Sequence, residues 1–496
     1  MNRRLRTMNR FVALLLAATL GTVPAAAAPR RDKVLDAQLR AHIVELASDA
    51  YEGREPGTEG EAKTLRYLGR QWFDIGLVSG TNDPGHDWFA PVTLVGREPA
   101  ASTAQFVRKG RRLPLASGSV LMLTSGKRSL VENAPMLFVG KGDGAMPGRS
   151  ELAGRVAVLL DGSSETSERQ NALLKAGASA VLTVLDGERT LDNVAARRTR
   201  SGYALASESL GGDLEGFMTR EAMDRLLVGS GETVARLEEK AGEPGFAPRL
   251  LDIAATMEAT TRETTIKTHN LIGKLPGRRP DSGAVVFMAH WDAFGLCAEP
   301  PAEDLVCNGA IDNASGVAAL TEIARRLAKS PPLDRDVYFV ATTAEELGLL
   351  GAQAFAENPP LPLKQIVATF NLDSIALAPP GTPMAIVGKG MTPLDAGIGA
   401  VARQQKRKLV EGDAANAYLR RQDGWALIQH DVPAVLVSSA YGDTARVERF
   451  FDGDYHRPSD GVRPDLELGG AAEDVLFHVA LARWFGDVRR VPAPPK

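Results

Sequence analysis

Apolar positions recur at three- and four-residue spacing over residues 32–47. Leu35, Leu39, Ile43 and Leu46 fall on one face, which predicts an amphipathic helix. A turn-rich break at 51–57 follows. A second helix comes next, preceded by Thr58, lined by Leu65, Leu68 and Trp72, and stopped by Gly76. From about residue 100 the texture changes. Short β-rich runs appear at 120–123, 135–139, 156–160 and 180–184, with a helical stretch at 167–176, and Gly-rich polar turns separate them. From residue 270 strands and helices alternate. The run 284–288 is continuously apolar, as expected of a strand buried on both faces. Further strands are predicted at 336–341, 366–370, 384–387 and 435–437, and helices at 314–328, 347–357, 394–405 and 471–485. This alternation predicts an α/β fold with a doubly wound, largely parallel sheet, whose chemistry sits beyond the carboxyl ends of the strands.

The first residues follow a different logic. Arg3, Arg4, Arg6 and Arg10 precede an apolar run at 11–20, and Pro24 and Pro29 bracket four alanines. A basic start, a short apolar stretch and an Ala-x-Ala site predict a signal peptide over 1–28, cleaved near Ala27 or Ala28. The apolar run is too short to span a bilayer comfortably. No Cys follows it to carry a lipid. The expected product is exported, periplasmic or extracellular, with no membrane anchor after cleavage.

Composition narrows the chemistry. The chain has 496 residues, enough for two to four domains at about 150 residues each. A net charge of −3 argues against a nucleic-acid binder. Two cysteines exclude a structural zinc ribbon, and only seven histidines are present. A metal site in this chain must therefore rest mainly on carboxylates.

Such carboxylates follow the strands. His290 and Asp292 come after the first, then Asp312, then Glu345 and Glu346 after the next, then Asp373, and finally His456 in the long loop after 435–437. Singly each has an ordinary reading: Asp312 as a helix cap, Glu345–Glu346 as a helix start, either histidine as a surface or structural residue. Together, His290, Asp312, Glu346, Asp373 and His456 suit a pair of zinc ions, with Asp312 as the bridge and one imidazole and one further carboxylate for each ion. Glu345 is then the general base and later the general acid, and Asp292 can accept the other ring N–H of His290.

The ordered motifs "AHWDAFG", "GAIDNASGVAAL", "TAEELGLLGAQAF", "FNLDSI" and "YHRPSD" resemble the co-catalytic di-zinc exopeptidases that include bacterial leucyl aminopeptidases and glutamate carboxypeptidase II. The resemblance covers 268–484, and 46–77 is similar to that family's N-terminal region. It implies two Zn2+ per chain on the five ligands named above, with Glu345 as base. It also implies that Tyr455, directly before the last His, helps stabilise the oxyanion. The β-rich insertion resembles a protease-associated domain. The expected domains are 29–99 as the N-terminal part of the peptidase domain, 100–255 as the insertion, and 256–490 as the catalytic domain.

The expected activity is an exported aminopeptidase acting on peptides with a free N-terminus. One rival is a carboxypeptidase, which needs a basic cluster for carboxylates; the pair Arg420–Arg421 is a slight pointer towards it. Others are a glutaminyl cyclase on one zinc and a receptor-like protein without metals. The acidic, Pro-rich loop 295–308 lies between two ligands and should rim the site. Its Cys297 and Cys307 are expected to pair in an exported protein, with two free thiols as the alternative. The sequence does not fix an oligomeric state.

Overall fold

The computed structural model describes residues 32–492 apart from 143–145, 163–165, 188, 199–201 and 209–211. The expected signal peptide lies outside the described residues. The two predicted N-terminal helices are Lys33–Leu46 and Glu59–Ile75. The Thr58 hydroxyl accepts the Glu61 N–H at the start of the second. Gly76 ends it at φ 95°, a left-handed conformation that costs glycine little. Leu35, Leu39, Leu68 and Trp72 are buried against the helix Gly316–Ala328 and the sheet. The Trp72 indole N–H donates to Thr321 Oγ1 at 3.1 Å, so the ring is buried without stranding its polar atom.

The C-terminal half is built on one sheet. Ile366–Asn371, Ala284–His290 and Asp336–Thr342 run parallel, with Ala434–Ser438 parallel on the outer side of the first. Ala385–Val387 is antiparallel at one edge, and Arg249–Leu275 is antiparallel on the other side. Ala284–His290, Asp336–Thr342 and Ala434–Ser438 are buried along their whole length, because helices cover both faces. All four parallel strands end on one side of the molecule, and the polar loops gather there.

The stretch expected as an insertion has its own core, centred on Val156–Leu160, Ala180–Val184 and Leu214–Met218, which run parallel within a sheet. Two long strands, Phe89–Arg108 and Arg249–Leu275, form an antiparallel ribbon from Phe89↔Leu271 to Val107↔Ala254. This ribbon passes residues 100 and 255 without a break. The two halves share continuous strands, where the sequence had suggested separate segments.

Candidate metal centre

The parallel strands deliver their chemistry as the fold class demands. His290 is the last residue of its strand; Glu345 and Glu346 follow Asp336–Thr342, and Asp373 follows Ile366–Asn371. The two oxygens of Asp312 face different imidazoles. Oδ1 lies 3.2 Å from His290 Nε2, and Oδ2 lies 3.4 Å from His456 Nε2. Asp373 Oδ1 is 3.7 Å from His290 Nε2, and Glu346 Oε2 is 2.9 Å from His456 Nε2. His290, Asp312 and Asp373 make one convergent group of donors; Asp312, Glu346 and His456 make the other. Glu345 Oε2 stands 3.9 Å from His290 Nε2.

The donors fit a pair of zinc ions. His290 Nε2 is buried and faces a ring of carboxylates, with Asp312 Oδ1 at 3.2 Å and Asp373 Oδ1 at 3.7 Å. Nitrogen and oxygen donors in this ratio suit zinc. The electrostatics agree. Burial, and after it the neighbouring Glu346, Asp373 and Asp423, push Glu345 well above the usual carboxylate range, against the pull of His290. Burial and Asp312 do the same to Glu346. Burial also acts on Asp312, but hydrogen bonds from His290 and His456 outweigh it and hold this carboxyl low. A cluster of acids that retains protons in the absence of a cation is one that cations would relieve.

The Asp-Asn-x-Ser-Gly motif explains why Asp312 and Asp373 stay together. Asn313 Nδ2 donates to Leu372 O, and its Oδ1 accepts Gly316 N–H and Ser374 N–H. Ser315 Oγ donates to Ile311 O and accepts Ile375 N–H. A Cβ on Gly316 would lie 2.3 Å from Leu372 O, so only glycine permits this approach. The loop carrying Asp312 is thereby stitched to the loop carrying Asp373.

Asp292 is buried beside His290, but its carboxylate has nearer partners than the ring. It accepts Glu345 N–H at 3.2 Å and Glu346 N–H at 3.3 Å. The ring Nδ1 lies 3.2 Å from the Asp292 carbonyl and 3.7 Å from its carboxylate. Tyr455 stacks on His456 with centroids 3.5 Å apart, and Phe294 packs on the same imidazole at 4.3 Å. Tyr455, Tyr441 and Arg421 wall the cavity onto which Asp312, Glu345 and Asp373 open. A larger cavity of about 410 Å³, bordered by Asn82, His86 and Phe355, contains none of these residues. Cys297 and Cys307 form a disulfide, in a small hairpin where Gly295 pairs with Cys307.

Three further residues shape the site. Asp460 accepts Ile311 N–H at 2.9 Å and Asp312 N–H at 3.0 Å; burial pushes its carboxyl up to about 7. Arg54, in the break between the N-terminal helices, is 1% exposed. Its guanidinium donates to Leu46 O, Trp291 O, Asn308 O and Gly309 O. Burial lowers it to about 10, while Asp460, Asp292, Asp312 and Glu346 favour its charge. Asp423 is buried and accepts the Thr342 hydroxyl. The "YHRPSD" motif contains Asp460, but a capping aspartate and a ligand look alike in sequence. Arg54 carries no signal of its own, because three of its four carbonyl partners lie more than 200 positions away.

Residues 270–480 match the model of peptidase family M28. Aminopeptidase YwaD of Bacillus subtilis is 35% identical over 121 residues, 24% of this chain and 24% of that protein. The probable lipoprotein aminopeptidase LpqL of Mycobacterium tuberculosis is 34% identical over 155 residues, 31% of this chain and 28% of that protein. The chain thus spans well under two thirds of the length of these curated relatives. An aminopeptidase from Aneurinibacillus sp. strain AM-1 shares the fold across 93% of this chain and 94% of its own, at 20% identity and a TM-score of 0.53. The sheet, the motif order and the match to the peptidase family M28 model coincide on one stretch, residues 270–480.

Proposed function

We propose that this protein is an exported zinc-dependent aminopeptidase that removes N-terminal residues from peptides. The observation that carries the reading is Asp312, whose two oxygens face the imidazoles of His290 and His456 at 3.2 and 3.4 Å. With Asp373 and Glu346 as the outer carboxylates, these five residues would hold two Zn2+. Bound there, the ions would polarise the scissile carbonyl, acidify the attacking water and attract the free α-amine. Glu345, which opens on the same cavity, takes the proton from that water and returns it to the leaving amine. Asp292, on the Glu345 and Glu346 amides, fixes the backbone that presents base and ligand. Tyr455 lines the same cavity, and its phenol is assigned the role of donor to the developing oxyanion. Among the described residues no helix is long and apolar enough to cross a membrane.

The deciding experiment uses one octapeptide in three forms with zinc-loaded protein, followed by mass spectrometry. The free peptide should shorten one residue at a time from its N-terminus. Acetylation removes the amine's charge and lone pair, so trimming should stop. Amidation of the remote C-terminus should leave the rate within about twofold, because a single weak surface contact changes binding by little more than that. Normal trimming of the acetylated form with resistance of the amidated form would instead establish a carboxypeptidase.

A further inference from the structure

The basic pair Arg420–Arg421 divides its labour. The Arg420 guanidinium lies over the Trp425 ring, 5.2 Å from its centroid. Arg421 stands over the Phe451 ring at 5.4 Å and contributes to the same cavity wall as Asp312, Glu345, Asp373 and Tyr455. Phe451 supports the guanidinium from beneath, which limits the positions it samples. Among the described residues no hydrogen bond or ion pair to a carboxylate is found for Arg421, whereas Arg54, Arg325, Arg326, Arg407 and Arg463 all have oxygen partners. A planar fork with several donors, left open beside a hydrolytic centre, is matched best by a carboxylate. The rest of that wall is acidic, phenolic or uncharged, so its side chains offer a carboxylate no other cationic partner.

We propose that Arg421 receives a substrate carboxylate close to the scissile bond, on the side of the residue that leaves. This rests on the aminopeptidase reading and deepens it. The favoured substrates are dipeptides, whose C-terminal carboxylate falls there, or peptides with an acidic side chain just after the cleaved bond. Both sources supply the same chemistry. Arg421 is a specificity residue for the leaving group, while the free amine is recognised separately.

The test compares Leu-Gly, Leu-Gly-amide and Leu-Asp-amide as substrates of the zinc-loaded protein and of its Arg421→Gln and Arg421→Lys variants. The unaltered protein should favour Leu-Gly over its amide at least tenfold in kcat/KM, about the worth of one charge-assisted hydrogen bond. In Arg421→Gln the ratio should fall to near one, with the change mainly in KM, and Arg421→Lys should recover part of it. Activity on Leu-Asp-amide well above Leu-Gly-amide identifies the side chain as a second source; equality confines the site to the C-terminal carboxylate. Equal use of Leu-Gly and its amide by the unaltered protein, or a preference that survives in Arg421→Gln, overturns the proposal. Calorimetric titration of the two dipeptides into Glu345→Gln protein separates it from the aminopeptidase reading. If nothing is hydrolysed, tighter binding of Leu-Gly that Arg421→Gln abolishes upholds the carboxylate site alone, and equal affinity ends it.

Discussion

Glu345 and Glu346 are neighbours with different surroundings, and the difference sets their roles. Glu346 Oε2 approaches His456 Nε2 at 2.9 Å, whereas Glu345 opens on the cavity. Glu345→Gln keeps size and polarity but removes the proton acceptor. We expect kcat to fall at least ~10²-fold with zinc content unchanged, as general-base losses do; elemental analysis beside steady-state kinetics checks both halves. The side chains that converge at this centre stood out in sequence as candidates, because a parallel sheet places its chemistry after strand ends and His290, Glu345, Glu346 and Asp373 stand there. Asp460 did not, since its work is to hold two backbone N–H groups in a loop whose path only the fold reveals. Asn at 460 can accept through one oxygen only and would turn an N–H donor towards the second amide. Asp460→Asn should weaken zinc binding about 10–100-fold, the usual cost of losing a group that orients a ligand. Competition with a chelator of known affinity measures it. Unchanged affinity would mean that the Asp312 loop holds its shape without Asp460.

Among the elements, period and boundary differed in legibility. The strands Val156–Leu160 and Ala180–Val184 and the helix Lys33–Leu46 lie where the pattern put them, because each pairs a clear period with turn residues at its ends. The ribbon escaped notice. Its alternation is present, with Leu251, Ile253, Ala255, Met257 and Ala259 buried and the intervening positions more open. Yet it runs 27 residues, far beyond an ordinary strand, so a pattern reader divides it. The ribbon has a mechanical consequence. Leu205 of the insertion is buried with Val92, Leu94, Ala344 and Leu350, and the last two flank the Glu345–Glu346 loop. Leu205→Ala would leave a gap against that loop, at a cost of about 2–5 kcal/mol if the surroundings do not collapse. Amide hydrogen exchange in the peptide 343–351 should quicken, while the strand Ala284–His290 keeps its protection. Uniform quickening across both segments would mean that the insertion steadies the whole sheet and not this loop in particular.

Across the whole molecule, charge and fold are balanced against each other. Asp292, Asp312, Glu345, Glu346, Asp373, Asp423 and Asp460 are gathered around Arg54 and the imidazoles of His290 and His456. Those cations do not offset the acids. A buried excess of one sign is tolerated only if protons or metal ions supply the difference. The loops that carry these acids lie far apart in the chain, between residues 292 and 460, so one set of ions would tie distant parts of it together. Metal binding should then be a substantial part of folding stability. A ligand held by the folded form alone adds about 4 kcal/mol when its free concentration is a thousandfold above Kd. For a chain of this size, with an unfolding entropy of about 2.1 cal/mol/K per residue, that corresponds to roughly 4 °C in Tm. Dialysis against a chelator should therefore lower Tm by about that much, and zinc should restore it until about two ions per chain are bound, the number expected from one bridging and two terminal pairs of ligands. Calorimetric melts at graded zinc, with elemental analysis of each sample, test this. A Tm indifferent to chelation in protein shown to be metal-free would mean that protonation alone satisfies the acid cluster. A plateau at one ion would leave Asp312 without a bridge to make.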